Sequence, residues 1–236
     1  METTAACVSK VHVLLDDPAT RSALAQTVAA AGIQTVEYRS TAELLRTVCA
    51  GMCGCVVIDM AVREIDGVEL MNRLQPQALA PPFIFVATVD DVSRSVEAMK
   101  CGAIDCIVEP ADGERVITAV RKALEIDAAR RELRNLRARF EKLTPHERAI
   151  LFGIADNKLN KQIAVELGVC ERTVKSRRAR MMNKLCVATV PEIVRTVASL
   201  EKTHGWRIAN HPHPAGPASN ARSPREIARS GTQTSP

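Results

Sequence analysis

Three groups of residues in this 236-residue chain have types and spacings that bear on chemistry. One is acidic: Asp16 and Asp17 follow the apolar run VHVLL, Asp59 sits near the end of CVVIDM, and Glu109 ends DCIVE. As a hydrolytic pair Asp16 and Asp59 lack helpers, because no His, Ser or Lys stands at a matching strand end. The second group is basic: CERTVKSRRARMMNKL carries Arg172, Lys175, Arg177, Arg178, Arg180 and Lys184, a set suited to a polyanion. The third is the thiol cluster Cys49, Cys53 and Cys55 in CAGMCGC. Its spacing does not match a zinc C-x-x-C pair, and no His lies near it in sequence. Small reduced residues at a loop and strand edge are one reading; a redox sensor is the other.

The elements that must position these groups follow from hydrophobic periodicity. Strands are predicted at 11–15, 33–38, 55–60, 83–88 and 105–109. Helices are predicted between them, the first ended by Gly32 and the last starting near Glu114. Apolar strands alternating with helices make a parallel sheet covered on both faces. Function in such sheets gathers at the carboxyl ends of the strands, here the loops after Leu15, Asp59 and Thr88, together with Glu109.

Charge divides the chain. The formal net of +5 averages a front half (1–125) with 11 Lys+Arg against 17 Asp+Glu and a segment 143–202 with 11 against 6. Only the back half is suited to meeting a polyanion. Hydrophobic residues at 46% exclude wholesale disorder, and aromatics at 3% argue against a base-stacking surface. No apolar run approaches the ~18–20 residues of a membrane span. The start lacks the pattern of a secretory signal, so the expected setting is the cytoplasm, with the eight cysteines reduced.

The helix from Glu114 is predicted to run on as a linker over 126–141, because AARRELRNLRARFEK holds no Gly or Pro. Its stripe Ile117, Val120, Leu124, Leu133, Leu136, Phe140 and Leu143 is either a coiled-coil seam between two chains or a packing face within one. Both can hold in different segments. Thr144, Pro145 and Glu147 form a helix start, and that helix should end at Asn157. Two further helices flank a turn at Gly168, and a last one covers roughly 190–202. The Pro- and Ser-rich stretch 203–236, which includes His211 and His213, reads as a disordered tail.

The pieces LTPHERAIL, NKQIAVELGV, ERTVKSRRARMMNKL and the final helix resemble, in order, a LuxR-type (NarL/FixJ-type) helix-turn-helix domain over residues 142–202. The residues agree with that likeness. A major groove ~12 Å wide admits one helix, and Val174, Met181 and Leu185 repeat so as to leave the opposite face basic. By position, Lys175 and Ser176 meet base edges, with Arg178 or Ala179 next along the groove. Arg172 belongs to the same basic face, while Thr173, Arg177 and Lys161 hold phosphates. The resemblance implies dimerisation through the last helix, with Val190, Ile193, Val194 and Val197 as its apolar face, and an inverted-repeat DNA site.

The front half, 1–125, resembles the receiver domain of two-component response regulators of the FixJ type. The likeness is carried by VHVLLDDPATR, CVVIDM, DGVEL and SVEAMKCGAIDCIVEP. It implies a flavodoxin-like (βα)5 fold, so that the chain as a whole is α/β plus all-α. It also implies Asp59 as phosphoacceptor, with Asp16, Asp17, Asp59 and the Ala61 carbonyl around Mg2+, and a sensor histidine kinase and RNA polymerase as partners. The departures are specific. Leu15 stands where the family places its first acidic residue. Ala87 replaces the switch hydroxyl, with Thr88 one residue late, and Cys106 replaces the switch aromatic. Glu109 stands where receivers carry their lysine, before Pro110. Two unit charges ~4 Å apart interact by roughly 4 kcal/mol at an effective dielectric of ~20, so inverting that charge opposes a phosphorylated Asp59. The expectation is a degenerate receiver on a DNA-binding transcriptional regulator rather than an enzyme. The alternatives are a conventional phosphorylated regulator and an interaction or redox-responsive module. Cys101, Cys106, Cys170 and Cys186 read as packing residues.

Overall fold

A computed structural model describes residues 8–49, 51–63, 65–74 and 80–204, with the side chains at 49 and 202–204 left aside. The expected tail lies almost wholly outside these residues, as do His211 and His213. The chain forms two compact units, Met1–Glu132 and Leu133–Pro236. Among the described residues no helix is long and apolar enough to cross a membrane.

In the first unit, β1 (Lys10–Leu14), β2 (Thr35–Glu37), β3 (Gly54–Asp59), β6 (Phe83–Ala87) and β7 (Asp105–Val108) form a parallel sheet in the order β2-β1-β3-β6-β7. Strand alternation divides the core in two. Val56, Ile58, Phe83 and Phe85 pack with α2 (Thr41–Cys49), α3 (Gly67–Leu74) and α4 (Val92–Lys100). Val57, Ile84 and Val86 pack on the other face with α1 (Pro18–Ala30) and the start of α5 (Gly113–Glu141). Burial on both faces explains why these strands are apolar runs and not alternating ones. A short antiparallel pair, β4 (Ala61–Val62) and β5 (Ile65–Asp66), follows Asp59 and has no counterpart in the sequence prediction.

Helix α5 settles the two readings of its stripe in favour of packing for most positions. Val120 lies in the first unit's core with Ile117 and Leu124 against it. Phe140 and Leu143 lie in the second unit's core, with Leu136 packed on it. Near its middle the helix is fastened to the first unit by a buried acid. Asp127 accepts a hydrogen bond from the Gly54 amide (2.8 Å) and pairs with Arg131 (2.8 Å), which donates to the Ser9 hydroxyl (2.5 Å).

The second unit is helical: α6 (Pro145–Ala155), α7 (Asn160–Glu166), α8 (Glu171–Leu185) and α9 (Val190–His204). The predicted start of α6 is a reciprocal capping box between Thr144 and Glu147, with Pro145 in the first turn, and Asn157 adopts φ 59° just past its end. Gly168 (φ 62°) turns the chain between α7 and α8. Glu147 is buried and accepts from Lys184 (2.7 Å). Burial works against its charge, but the Lys184 and Thr144 hydrogen bonds outweigh it and hold the carboxyl below its usual range. Lys184 is thus a structural cation of the bundle, although the sequence grouped it with the basic face of α8.

Candidate functional site

The parallel register brings the acidic group to one end of the first sheet. Asp59 ends β3, Asp16 follows β1, Thr88 follows β6 and Glu109 follows β7. The Asp16 amide donates to Asp59 Oδ2 at 2.6 Å. Burial, foremost, pushes the Asp59 carboxyl above its ordinary value. The Asp16 amide opposes this, while the charges of Asp16, Glu109 and Asp17 add to it. Glu109 therefore acts on Asp59 as the inverted charge predicts. It precedes a cis peptide bond to Pro110, and its amide donates to the Ala87 carbonyl (2.9 Å).

The other expected pocket residues are engaged elsewhere. Asp17 caps α1, its Oδ2 accepting from the Thr20 amide (2.7 Å) and hydroxyl (2.8 Å). Asp16 accepts from the Arg63 amide at 3.0 Å, with the Arg63 guanidinium 3.8 Å away. Leu15 is buried in the core against α1 and α5. Asp16, Asp17 and Asp59 with the Ala61 carbonyl are thus not arranged as a ligand set. Among the described residues no group of three or more His, Cys, Asp or Glu can hold a metal ion. These residues do not fit Mg2+ as placed, which corrects the expected metal site.

The switch positions are occupied as well. Ala87 is buried, and Thr88 donates through both its amide (3.0 Å) and its hydroxyl (2.8 Å) to Asp91 Oδ2. Asp91 Oδ1 faces Arg94 (3.5 Å), which donates to the Met60 carbonyl (2.8 Å) and to Asp66 on β5. Cys106 is half-buried, and its thiol donates to Ser95 on α4 (3.0 Å). Thr88, Asp91, Arg94 and Asp66 thereby tie the start of α4 to the loop that follows Asp59. Sequence reasoning missed this network; its only signal was the Asp91–Arg94 spacing of three.

If Asp59 carries an ionised carboxylate against burial and three acids, removing the charge should stabilise the first unit. A raised carboxyl pKa means that the folded state binds the proton more tightly. Its destabilisation is complete above the folded value and disappears as pH falls toward the unfolded one. Asp59→Asn keeps an acceptor for the Asp16 amide. It should raise stability at pH 7 by on the order of 1 kcal/mol, reduced by partial exposure, with the gain shrinking toward pH 4. Denaturant titrations of both proteins at the two pH values check this.

The basic group lies on α8 as the periodicity requires. Val174, Met181 and Leu185 are buried, while Arg172, Lys175, Ser176, Ala179 and Arg180 form the exposed face opposite them. Thr173 and Arg177 lie half-buried on one flank, and Arg178 on the other, its guanidinium reaching Asn160 Oδ1 at 3.4 Å. Of the two candidates for the next groove position, Ala179 is the one on the outer face. Among the described residues Lys175 pairs with Glu171, one turn back on the same exposed surface (3.0 Å). Lys161 is exposed at the second residue of α7.

Two expectations for this unit need correcting. Ile193 and Val197 on α9 are buried in their own unit's core, because the α9 stripe packs against the bundle; Val190 and Val194 remain exposed. Cys170 and Cys186 are also exposed rather than packed, since they occupy the N-cap and the left-handed C-cap of α8.

A family model described as response regulator receiver domain matches residues 11–121, and one described as bacterial regulatory proteins, luxR family, matches residues 141–197. Nodulation protein W of Bradyrhizobium diazoefficiens is 31% identical over 194 residues, covering 80% of this chain and 86% of that protein. The chain belongs to the LuxR/FixJ family of response regulators. Transcriptional regulatory protein FixJ of Azorhizobium caulinodans is 34% identical over 189 residues, covering 78% of this regulator and 90% of that protein. The solved structure of response regulator StyR, 31% identical, superposes with a TM-score of 0.62 over 80% of this regulator and 98% of that chain. The regulator is accordingly a DNA-binding protein and not an enzyme.

Proposed function

We infer that this regulator binds a specific inverted-repeat DNA site as a dimer, and that its receiver does not switch by ordinary phosphotransfer. The observation that carries the second part is Glu109, whose negative charge adds to the burial that already disfavours a charged Asp59. A phosphorylated Asp59 would carry more negative charge in the same place. The engagement of Asp17 by Thr20 and of Thr88 by Asp91 supports the same reading.

On the DNA, Lys175, Ser176 and Ala179 face base edges, with Arg172 beside them. Lys161, Thr173 and Arg177 hold phosphates. Self-association is supported by exposed apolar residues, Val190 and Val194 on α9 and Val92, Val96 and Met99 along α4. RNA polymerase is the partner through which DNA occupancy would become transcriptional control.

The position of Asp59 at the end of β3 favours a second reading, a conventional regulator phosphorylated by a sensor histidine kinase. Incubation with acetyl phosphate and Mg2+ separates the two. Intact-mass measurement should show no stoichiometric phosphoryl adduct. An adduct lost in Asp59→Asn would establish the conventional reading.

A further inference from the structure

Cys53 is disulfide-bonded, which overturns for this residue the expectation of a reduced thiol, and Cys55 is a free thiol sealed in the core. The proposed function also leaves three cations of the second unit unused: Arg139 of α5, Arg148 of α6 and Lys184 of α8. Each is aimed at the end of a helix.

The last carbonyls of a helix have no partner inside it and carry the negative end of its dipole. At the end of α5, three consecutive carbonyls are taken by cations from later in the chain. Arg148 donates to the Glu141 carbonyl through Nη2 (3.1 Å) and to the Leu143 carbonyl through Nε (3.2 Å), with its guanidinium over the Phe140 ring (4.9 Å to the centroid). Lys184 donates to the Lys142 carbonyl between them (3.3 Å). Helix α5 does the same in return: Arg139 Nη1 donates to the carbonyl of Leu185, the last residue of α8 (3.4 Å). The ends of α5 and α8 thus cap each other, above Phe140, Leu143 and Leu185 buried in one core. Lys184 is fixed further by the buried Glu147, whose Oε2 accepts it at 2.7 Å together with the Thr144 amide (2.8 Å) and hydroxyl (3.1 Å).

We propose that Arg139 and Lys184 are positioning residues for sequence-specific DNA binding, locking α8 to the end of α5 by this exchange of caps. Neither touches DNA. They act through Lys175, Ser176 and Ala179, the residues that face base edges in the reading above, on which the proposal rests. Lys175 precedes Lys184 by nine residues, about 14 Å along the helix. A tilt of ~10° at the clamped end would move it by roughly 2 Å, more than a base hydrogen bond tolerates. Long cations on the continuous phosphate backbone follow such a tilt more easily, so the clamp bears on preference and not on overall attraction.

The test uses the full chain and a duplex that the parent protein selects from random sequence, compared with a scrambled duplex. Arg139→Met removes one cap from an exposed position. Lys184→Met is made together with Glu147→Gln, so that no buried carboxylate is left unpaired. Each variant should bind the selected duplex about tenfold more weakly, with the scrambled duplex and the salt dependence unchanged. Arg139→Lys and Lys184→Arg should keep the preference. Amide exchange at residues 139–143 and 183–186, measured without DNA, should be faster in the first two variants while the second unit still unfolds cooperatively. Equal weakening of both duplexes, with a smaller salt slope, would make the two residues phosphate contacts and overturn the proposal. Lowered stability with preference intact would leave them as structural caps only and overturn it as well. A parent that selects no sequence overturns the specific-binding reading and the proposal with it, whereas unchanged exchange in the variants overturns the clamp alone.

Discussion

Lys175→Ala is expected to reduce discrimination between the cognate site and scrambled DNA by about 10–100-fold, the ~1–3 kcal/mol of one good base contact. Among the described residues its ion-pair partner is Glu171, in an exposed pair one turn away that contributes at most ~1 kcal/mol. The ammonium is therefore free to leave it for a base edge. Arg177→Ala is expected to behave differently, because Arg177 lies half-buried on the flank of α8 and is proposed to hold a phosphate. It should weaken cognate and scrambled DNA about equally and reduce the salt dependence by roughly the ~0.9 slope of one phosphate contact. Titrations with both DNAs at two or more salt concentrations separate the effects. Loss of preference in Arg177→Ala, with none in Lys175→Ala, would reverse the assignment.

The largest expected effect on stability is at Gly54. The residue has φ 121°, and an added β-carbon would stand 1.8 Å from the Lys10 oxygen and 2.8 Å from its carbon. Those atoms are backbone of the adjacent strand, so relief requires β1 and β3 to separate at their first ladder position, where Lys10 pairs with Gly54. The same shift would break the Gly54–Asp127 hydrogen bond and leave a buried carboxylate short of a donor. Gly54→Ala should destabilise the first unit by ~4 kcal/mol or more, enough to unfold many domains of this size. Calorimetry of the full chain should show the second unit's transition largely retained. A loss below ~1 kcal/mol would show that the strands part more easily than the geometry requires.

What was legible in the sequence follows from which signals are local. The central strands β1, β3 and β6 are buried on both faces and announced themselves as apolar runs within one residue of their actual ends, whereas the edge strand β2 is no better than half-buried. The cap at Thr144 and the left-handed Asn157 were equally readable, because both are set by residues within one turn. The β4–β5 pair was invisible, since two-residue strands have no periodicity to detect. The α9 stripe was read correctly as apolar, but periodicity cannot tell an interface within a chain from one between chains. Ile193 and Val197 therefore went to the wrong partner. Lys184 failed for a related reason: its charge was plain, but its pairing with the buried Glu147 joins residues 37 apart.

The acidic site was legible in its composition and illegible in its geometry. That Glu109 would oppose Asp59 followed from the charge at a strand end, and the structure agrees in direction. That Asp17 would cap α1 had a signal, Asp followed by Pro18 at a helix start, but the resemblance to a metal carboxylate outweighed it. The Arg94 network joins two separate connections, after β3 and after β6, and needed the fold before it could be seen.

The central claim is that this regulator binds its DNA without a phosphoryl signal. Its most direct test is footprinting of the unmodified full chain on its target promoter, with and without acetyl phosphate and Mg2+, alongside Asp59→Asn. The expected result is one inverted-repeat footprint, appearing at the same protein concentration in all three cases. A footprint that requires the phosphoryl donor and vanishes in Asp59→Asn would contradict the account.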